Sequence, residues 1–334
     1  MSPDESLDAA PTTANGRRRL NELFTREQIA LLTARSDWRG AWALASTWLI
    51  VGLALAVLAR WPHVLTFVGA VIVIGGRQLC MGILQHEGAH RTLFKTRALN
   101  DTLTDWLAAR PIWLDLGLYR AHHHVHHTQT GTPADPDLSL HEGFPVTRAS
   151  LTRKLLRDAL GLTGLKSVYG HVLMDAGVIR WTVANDIVRL PANGRRLPQY
   201  VGRALRQMAP MLITNGVLWG VLALMGHAWL YAAWVVAFLT TLPLFTRIRS
   251  IAEHGCLART PDMFRNTRTT RAGWLARLTV APLHVNYHQE HHLMASVPYY
   301  RLPLMHRLLQ DKLTLPAAPG YLEVLSLASA GRVS

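Results

Sequence analysis

The chain has 334 residues, of which 49% are hydrophobic, and its 35 Lys and Arg against 21 Asp and Glu give a formal charge of +14. A charge of this size is typical of proteins that bind nucleic acid or an anionic membrane surface. The apolar residues gather in long runs, which excludes a nucleic-acid-binding protein and leaves the membrane. Two cysteines, Cys80 and Cys256, cannot build a disulfide framework.

Residues 1–40 are predicted to form a polar N-terminal segment. Residues 1–18 are rich in Pro, Thr, Asn, Gly and Arg, a composition typical of disorder, and they lack the apolar core of a cleavable signal peptide. Apolar residues then recur at helical spacing from Leu20 to Leu32, which predicts an amphipathic helix. Such a helix can lie on a membrane surface or dock on a globular part of the protein, and its spacing fits both.

Four apolar runs, at about 41–59, 64–84, 209–226 and 230–245, dominate the rest of the chain. The first is about 30 Å long as a helix, the thickness of a hydrocarbon core. All four are apolar on every side, which is typical of membrane-spanning helices. Short turns join the first to the second and the third to the fourth. The predicted fold class is therefore all-α integral membrane, with four transmembrane helices in two hairpins.

Three histidine clusters follow these runs, and two of them repeat one spacing. A dense histidine run alone is also typical of an exposed tract that binds metal adventitiously. Matched spacing in clusters far apart in the chain favours one site built from all three, with rings four residues apart on one helix face. The clusters are His86 and His90, then His123, His126 and His127, and then His288, His291 and His292.

An even number of spans separates the second cluster from the third, so all three emerge on the same side of the membrane. His254, just after the fourth run, emerges there too and is either a ligand or an ordinary surface residue. Arg60 is the basic residue of the far-side turns and Arg77 lies within the second run, while the other Lys and Arg lie on the histidine side. Positive charge marks the cytosolic side, so both termini and the site are predicted to be cytosolic.

Nine imidazoles, the eight of the clusters and His254, exceed the capacity of one metal ion and predict two. Imidazole suits Zn, Cu, Fe and Ni, so the spacing does not name the metal. Neighbouring polar groups can orient the rings by hydrogen bonds. Asp137 and Glu253 are favoured for this role among the nearby carboxylates, and Asn286 is a further candidate. Five histidines are predicted to be ordinary surface or packing residues: His63, His141, His171, His227 and His306.

The order H-x3-H, H-x2-H-H and H-x2-H-H resembles the three histidine boxes of the integral-membrane fatty acid desaturase superfamily. Asp135-Pro136-Asp137 and Val297-Pro298 also resemble that family, and the likeness covers about 40–310. It implies a membrane domain over 41–310 in which 85–208 and 246–310 form a cytosolic helical cap, followed by a C-terminal tail at 311–334. It also implies a histidine-ligated di-iron site and an extra histidine after the fourth span, which His254 matches.

One position departs from the family pattern. Some members have an Asn four residues before the extra histidine, where it acts on a metal through water. Ser250 occupies that position here. The departure puts the water-bridging role in doubt for this chain, and Ser250 is carried forward as a candidate only.

The resemblance implies an O2-dependent di-iron desaturase that introduces a C=C bond into a fatty acyl chain, linked to a lipid or to a carrier. Two iron ions and O2 would be needed, with electrons from a separate ferredoxin, rubredoxin or cytochrome b5 type donor. In a bacterium the enzyme would lie in the inner membrane.

Two alternatives remain open. A hydroxylase or ketolase, for example of the carotenoid-oxidising type, would use the same boxes. A metal transporter would carry ionisable ligands within its spans, whereas here the clusters lie outside the apolar runs.

Overall fold

The computed structural model describes residues 20–181 and 187–331, so the segment 1–18 predicted to be disordered lies outside the described residues. The fold is mostly helical, with one antiparallel two-stranded sheet of β1 (Ile179–Trp181) and β2 (Ile187–Arg189). The helices are α1 Leu20–Leu23, α2 Arg26–Leu32, α3 Asp37–Arg60, α4 Val64–Ala89, α5 Arg97–Thr104, α6 Leu116–Gln129, α7 Leu138–His141, α8 Arg148–Ala159, α9 Leu162–Asp175, α10 Leu197–Leu224, α11 Tyr231–Leu239, α12 Thr241–His254, α13 Met263–Asn266, α14 Trp274–Leu278, α15 His288–Leu293, α16 Leu302–Gln310 and α17 Tyr321–Ala328.

Short helical turns of other types complete the fold. A π-helix, Asp105–Ala109, and a 3₁₀ turn, Arg110–Ile112, follow α5. Further 3₁₀ turns lie at Ala228–Leu230, Pro282–His284 and Tyr299–Arg301. The segment around residues 105–112 packs against α4.

Within the described residues, four stretches are long and apolar enough to cross a membrane: Arg26–Arg60, Val64–Ala89, Leu197–Leu224 and Ala228–His254. Three of them contain a predicted run whole, and Leu197–Leu224 contains the third run except its last two residues; all four are longer than the runs. An apolar run measures only the part suited to lipid, whereas helical hydrogen bonds continue through the polar residues beyond it. Because of this extension, His86 lies on the same helical stretch as the second apolar run, and His254 lies on the same helical stretch as the fourth.

Helix α4 is the most buried of these four stretches. Within its most apolar part 67% of the residues are buried inside the protein, against 6% for α10. Helices α3, α11 and α12 pack around it. Two adjacent glycines allow the closest approaches, because a Cβ on Gly75 would collide with Thr241 and one on Gly76 with the Leu278 carbonyl. The second span therefore serves as the scaffold from which the first histidine pair projects.

Arg77, a charge within the second run, faces the protein interior. Its Nη2 donates to the carbonyl oxygens of Arg277, at 3.1 Å, and Leu278, at 2.7 Å. These carbonyls end the short helix α14 and have no partner within it. The guanidinium thus caps a helix carboxyl end, where positive charge is favourable.

Replacing Arg77 by Met is expected to lower the stability of the folded chain by about 1–3 kcal/mol, because two buried carbonyls lose their donor. The thermal unfolding midpoint in detergent should fall. Arg60→Met is the matched control, since Arg60 is exposed at the far end of α3. Equal midpoints for the two variants would contradict the capping role.

The first and the last described segments both pack on the part of the protein that holds the histidines. Leu23, Phe24 and Leu32 of the N-terminal segment share a core with Met305 and Leu309 of α16. The amphipathic helix therefore docks on the protein. In the segment expected to be a C-terminal tail, α17 packs against α12 and buries Val324 and Ala328. The sequence did not predict this packing, because the apolar pattern in 321–328 is short and α12, the helix that it contacts, is remote in the chain.

Candidate metal centre

The first histidine pair lies at the cytosol-facing end predicted for the second span. Helix α4 runs on to Ala89, so His86 is in its last turn and His90 is its C-cap. Because the two histidines are four residues apart, their rings lie on the same side of the helix, with centroids 4.9 Å apart. His86 is buried, and His90 is half-buried at the helix end.

The second cluster lies on α6. Asp115 caps this helix by accepting a hydrogen bond from the Leu118 amide at 2.8 Å. His123 and His127, four residues apart, point together, and their Nε2 atoms are 3.0 Å apart. His126 belongs to a different face of the same helix.

The third cluster lies on α15, where all three histidines are buried. His254, the last residue of α12, faces it, with its Nε2 2.8 Å from Nε2 of His288. His291 points the other way, and its Nε2 is 3.0 Å from Nε2 of His127. One helix thus contributes to both sides of the centre.

The nine candidate ligands form two adjacent groups. Within each group the ligand atoms lie within 4.8 Å of one another, and each group can hold a metal ion. The rings of His127 and His292, one from each group, stack with centroids 4.3 Å apart. The five-histidine group is His86, His90, His123, His127 and His291, and the four-histidine group is His126, His254, His288 and His292.

The donor atoms fit metal ions. Both ring nitrogens of His86 and the Nε2 atoms of His90 and His292 are buried without a hydrogen-bond partner among the described residues. Buried polar atoms normally find partners, so unpaired ring nitrogens in both histidine groups fit a role as metal ligands. Neutral imidazole is the form that binds metal.

Burial keeps these imidazoles neutral. It lowers the pKa of His90 to about 3, because the charged ring would lose its hydration. The pKa of His126 is raised instead: burial opposes the charge, but the hydrogen bond to Asp135 and the nearby carboxylates outweigh it. Burial likewise places the pKa well below its usual range for His123, His127, His288, His291 and His292.

The metal-free protein is therefore expected to lose stability on acidification. Below about pH 6.5 the unfolded chain protonates its histidines while the folded chain keeps rings such as His90 neutral. Stability is fully present above that pH and falls toward the folded pKa, by about 1.4 kcal/mol per pH unit for each such histidine. Unfolding midpoints of chelator-treated protein between pH 7.5 and 5 would measure this, and a flat profile would contradict it.

Carboxylates hold the rings of the four-histidine group. Asp135 Oδ1 lies 2.8 Å from His126 Nδ1, whereas Asp137, favoured from the sequence, is 3.7 Å from the same atom and 2.7 Å from His122 Nε2. Burial favours the neutral form of Asp135, yet the hydrogen bond from His126 and the nearby His141 ring, 3.7 Å away, hold its pKa well below the usual range. Asp135 is thus an ionised acceptor that orients His126.

The other expected orienting residues have different surroundings. Glu253 Oε1 lies 3.5 Å from His288 Nδ1 and accepts a 2.6 Å hydrogen bond from Arg249. Asn286 donates to the Thr270 carbonyl at 2.8 Å rather than to a ring. No described contact joins half-buried Ser250 to a histidine.

Two neighbours of the centre, His141 and His306, were missed from the sequence, and two acids beside the boxes, Glu87 and Glu290, were not among the favoured ones. His141, expected to be ordinary, stacks on His254 with centroids 5.0 Å apart and lies 3.7 Å from Asp135. His306 contacts Glu290, which is fully buried, at 2.5 Å. Glu87 accepts from Thr92 at 2.9 Å. Glu87 and Glu290 had a sequence signal, because each stands beside a histidine of a box. His141 and His306 had none, because they reach the site from short helices of their own.

A cleft of about 590 Å³ opens beside the five-histidine group. Its exposed surface is mainly apolar, so it suits the hydrocarbon part of a substrate better than an ion. The cleft places His90 and His123 within reach of a bound molecule. Its lining residues are Ala89, His90, Gly117, Arg120, Ala121, His123 and His124.

Comparisons with known proteins agree with this centre. Dihydrorhizobitoxine desaturase of Bradyrhizobium elkanii is 26% identical over 277 residues, which are 81% of this chain and 73% of that protein. Residues 59–321, which contain all nine candidate ligands, match the family model described as fatty acid desaturase. The extent of this match, most of the chain, shows that the protein belongs to the fatty acid desaturase family.

Proposed function

We propose that the protein is an O2-dependent di-iron desaturase that introduces a C=C bond into a fatty acyl chain. The observation that carries the proposal is the pair of adjacent, buried histidine groups beside an apolar cleft. In it His86, His90, His123, His127 and His291 hold one iron, and His126, His254, His288 and His292 hold the other.

The irons supply the oxidising power that an unactivated methylene requires. The overall reaction balances when two hydrogen atoms leave neighbouring carbons and O2 accepts them with two further electrons and two protons, which gives two waters. The donor would be a separate ferredoxin, rubredoxin or cytochrome b5 type protein. A chain with a formal charge of +14 would attract an acidic donor electrostatically.

The chain itself supplies orientation and a dry environment. Asp135 fixes the ring of His126, and the Arg249–Glu253 pair lies behind His288. Such partners set the tautomer and direction of a ligating imidazole. Burial of the rings excludes water, which would otherwise compete for the site.

The proposed membrane arrangement has two hairpins, with 85–208 and 246–310 forming a cap on the cytosolic side and both termini there. Helices of spanning length and the charge distribution support it. A reporter fused after residue 62 and another after residue 311 should report opposite sides of the membrane. The same side for both would contradict this topology.

Product analysis tests the reaction. The full chain would be expressed with a reductant system, and host lipids analysed by mass spectrometry for a loss of two mass units and its position. Oxygen in the product would instead indicate the hydroxylase or ketolase alternative. The name of the Bradyrhizobium relative specifies dihydrorhizobitoxine and not a fatty acid. Non-lipid extracts should therefore be analysed as well, since new double bonds there would move the substrate class away from acyl lipids.

A further inference from the structure

Gln85, the residue before His86, is a fully buried amide without a hydrogen-bond partner. Its side chain has no solvent exposure, and neither Oε1 nor Nε2 has a partner among the described residues. A glutamine amide can donate twice and accept twice. Leaving all of these bonds unmade in a buried place costs free energy, and buried amides in proteins are normally paired.

A second amide in the membrane domain shows the usual solution. Asn215 of α10 accepts hydrogen bonds from Tyr231 at 2.9 Å and from Trp234 at 3.0 Å, and it donates to the Pro111 carbonyl at 3.1 Å. Gln78, one residue after Arg77, donates to the Trp234 carbonyl at 3.0 Å. Gln85 differs from both of these amides, because neither of its side-chain polar atoms has a described partner, whereas in Gln78 only Oε1 lacks one. The missing partners of Gln85 need a local explanation.

The position of Gln85 indicates what that partner is. Residues 78, 82, 85 and 89 form one stripe along α4, at helical spacing. Toward the membrane, Gly82 approaches Ile112. Toward the histidines, Ala89 lines the apolar cleft beside His90 and His123. Gln85 is thus on the same helix face as Ala89 of the cleft wall and next in sequence to a proposed iron ligand, and it is not itself among the residues that line the cleft.

We propose that Gln85 determines substrate specificity by hydrogen bonding to an oxygen or nitrogen of the substrate close to the carbon that is oxidised. The substrate class is then a chain that carries an ether, hydroxyl, carbonyl or amide group near the reacting bond. A plain hydrocarbon segment would leave the amide unpaired, and sites built around a hydrogen bond discriminate strongly against analogues that lack it. This inference rests on the proposed function and narrows its substrate.

The first test is the stability of the ligand-free chain, with two matched variants on the same helix. Gln85→Leu should raise the thermal unfolding midpoint in nanodiscs, because an unpaired amide is replaced by an apolar group. Gln78→Leu should lower it, because the Trp234 carbonyl loses its donor. A lowered midpoint for Gln85→Leu would show that the amide is paired within the protein, and this would overturn the proposal.

The second test uses octadecanoic acid and a positional series of the same chain with one internal ether oxygen or hydroxyl group. At least one oxygen-bearing probe should raise the unfolding midpoint of the wild type more than octadecanoic acid does. In Gln85→Leu of equal iron content the preference in kcat/KM should fall about tenfold, the effect of one bond to an otherwise unpaired buried group. No preference in the wild type, an unchanged one in the variant, or loss of iron in the variant would each refute it.

The two proposals fail differently. If no probe is oxidised but the midpoint shifts depend on Gln85 as stated, the desaturase reaction is wrong and the binding role stands. If the wild type and Gln85→Leu both desaturate the chains and show the same preference between octadecanoic acid and the oxygen-bearing probes, the reaction stands and the role of Gln85 is wrong.

Discussion

Replacing His86 by alanine is expected to abolish turnover and to lower the iron content of the purified chain from about two ions to one or fewer. His86 is buried, and both of its ring nitrogens lack a partner among the described residues. Removing a direct ligand should cost more than the 10–100-fold that removal of a partner behind a ligand costs. Elemental analysis and product mass spectrometry on the same preparation measure both effects.

His63→Ala is the matched control for this variant. His63 lies at the opposite end of the same helix, where it is exposed. It should leave iron content and turnover unchanged, while both variants remain inserted in the membrane. Full activity in His86→Ala, or equal loss of iron in the two variants, would refute the assignment of the five-histidine group.

Asp135→Asn is expected to lower the affinity for iron by 10–100-fold, with a corresponding loss of activity at limiting iron. The substitution keeps the shape but removes the charge that accepts from His126 Nδ1 at 2.8 Å. The ring then loses the partner that fixes its tautomer. Competition with a chelator of known affinity, followed by iron absorbance or elemental analysis, would give the shift.

Asp137→Asn discriminates between the two acids of the Asp135-Pro136-Asp137 stretch. Asp137 pairs with His122, which is in neither histidine group. Its replacement should change iron affinity much less than that of Asp135. A larger effect at Asp137 would instead favour the residue chosen from the sequence.

The histidine boxes divide between the two groups according to helical geometry. Residues four apart stay together, as in 86 and 90, 123 and 127, and 288 and 292. Adjacent residues separate, because neighbours on a helix point about 100° apart. His126 and His127 therefore serve different groups, and so do His291 and His292. A helix with H-x2-H-H is thereby able to bridge two metal ions.

Much of this protein follows from local patterns. Four apolar runs of sufficient length predict helices that can cross a membrane. In lipid the backbone N–H and C=O groups can form hydrogen bonds only with one another, and a helix satisfies them. Matched histidine spacing predicts shared faces, because a helix has a fixed period. Both patterns are visible without any knowledge of which segments meet, and the structure contains both.

The tertiary structure alone decided how remote groups pair. Asp135 rather than Asp137 meets His126, His141 stacks on His254, and α17 covers α12. The loop around 130–137 and the short helices α7 and α17 have no period that fixes where a side chain points. Their contacts depend on packing between segments far apart in the chain, which one-dimensional spacing cannot encode. The unpaired amide of Gln85 likewise becomes visible only when every neighbour that might have bonded to it is in place.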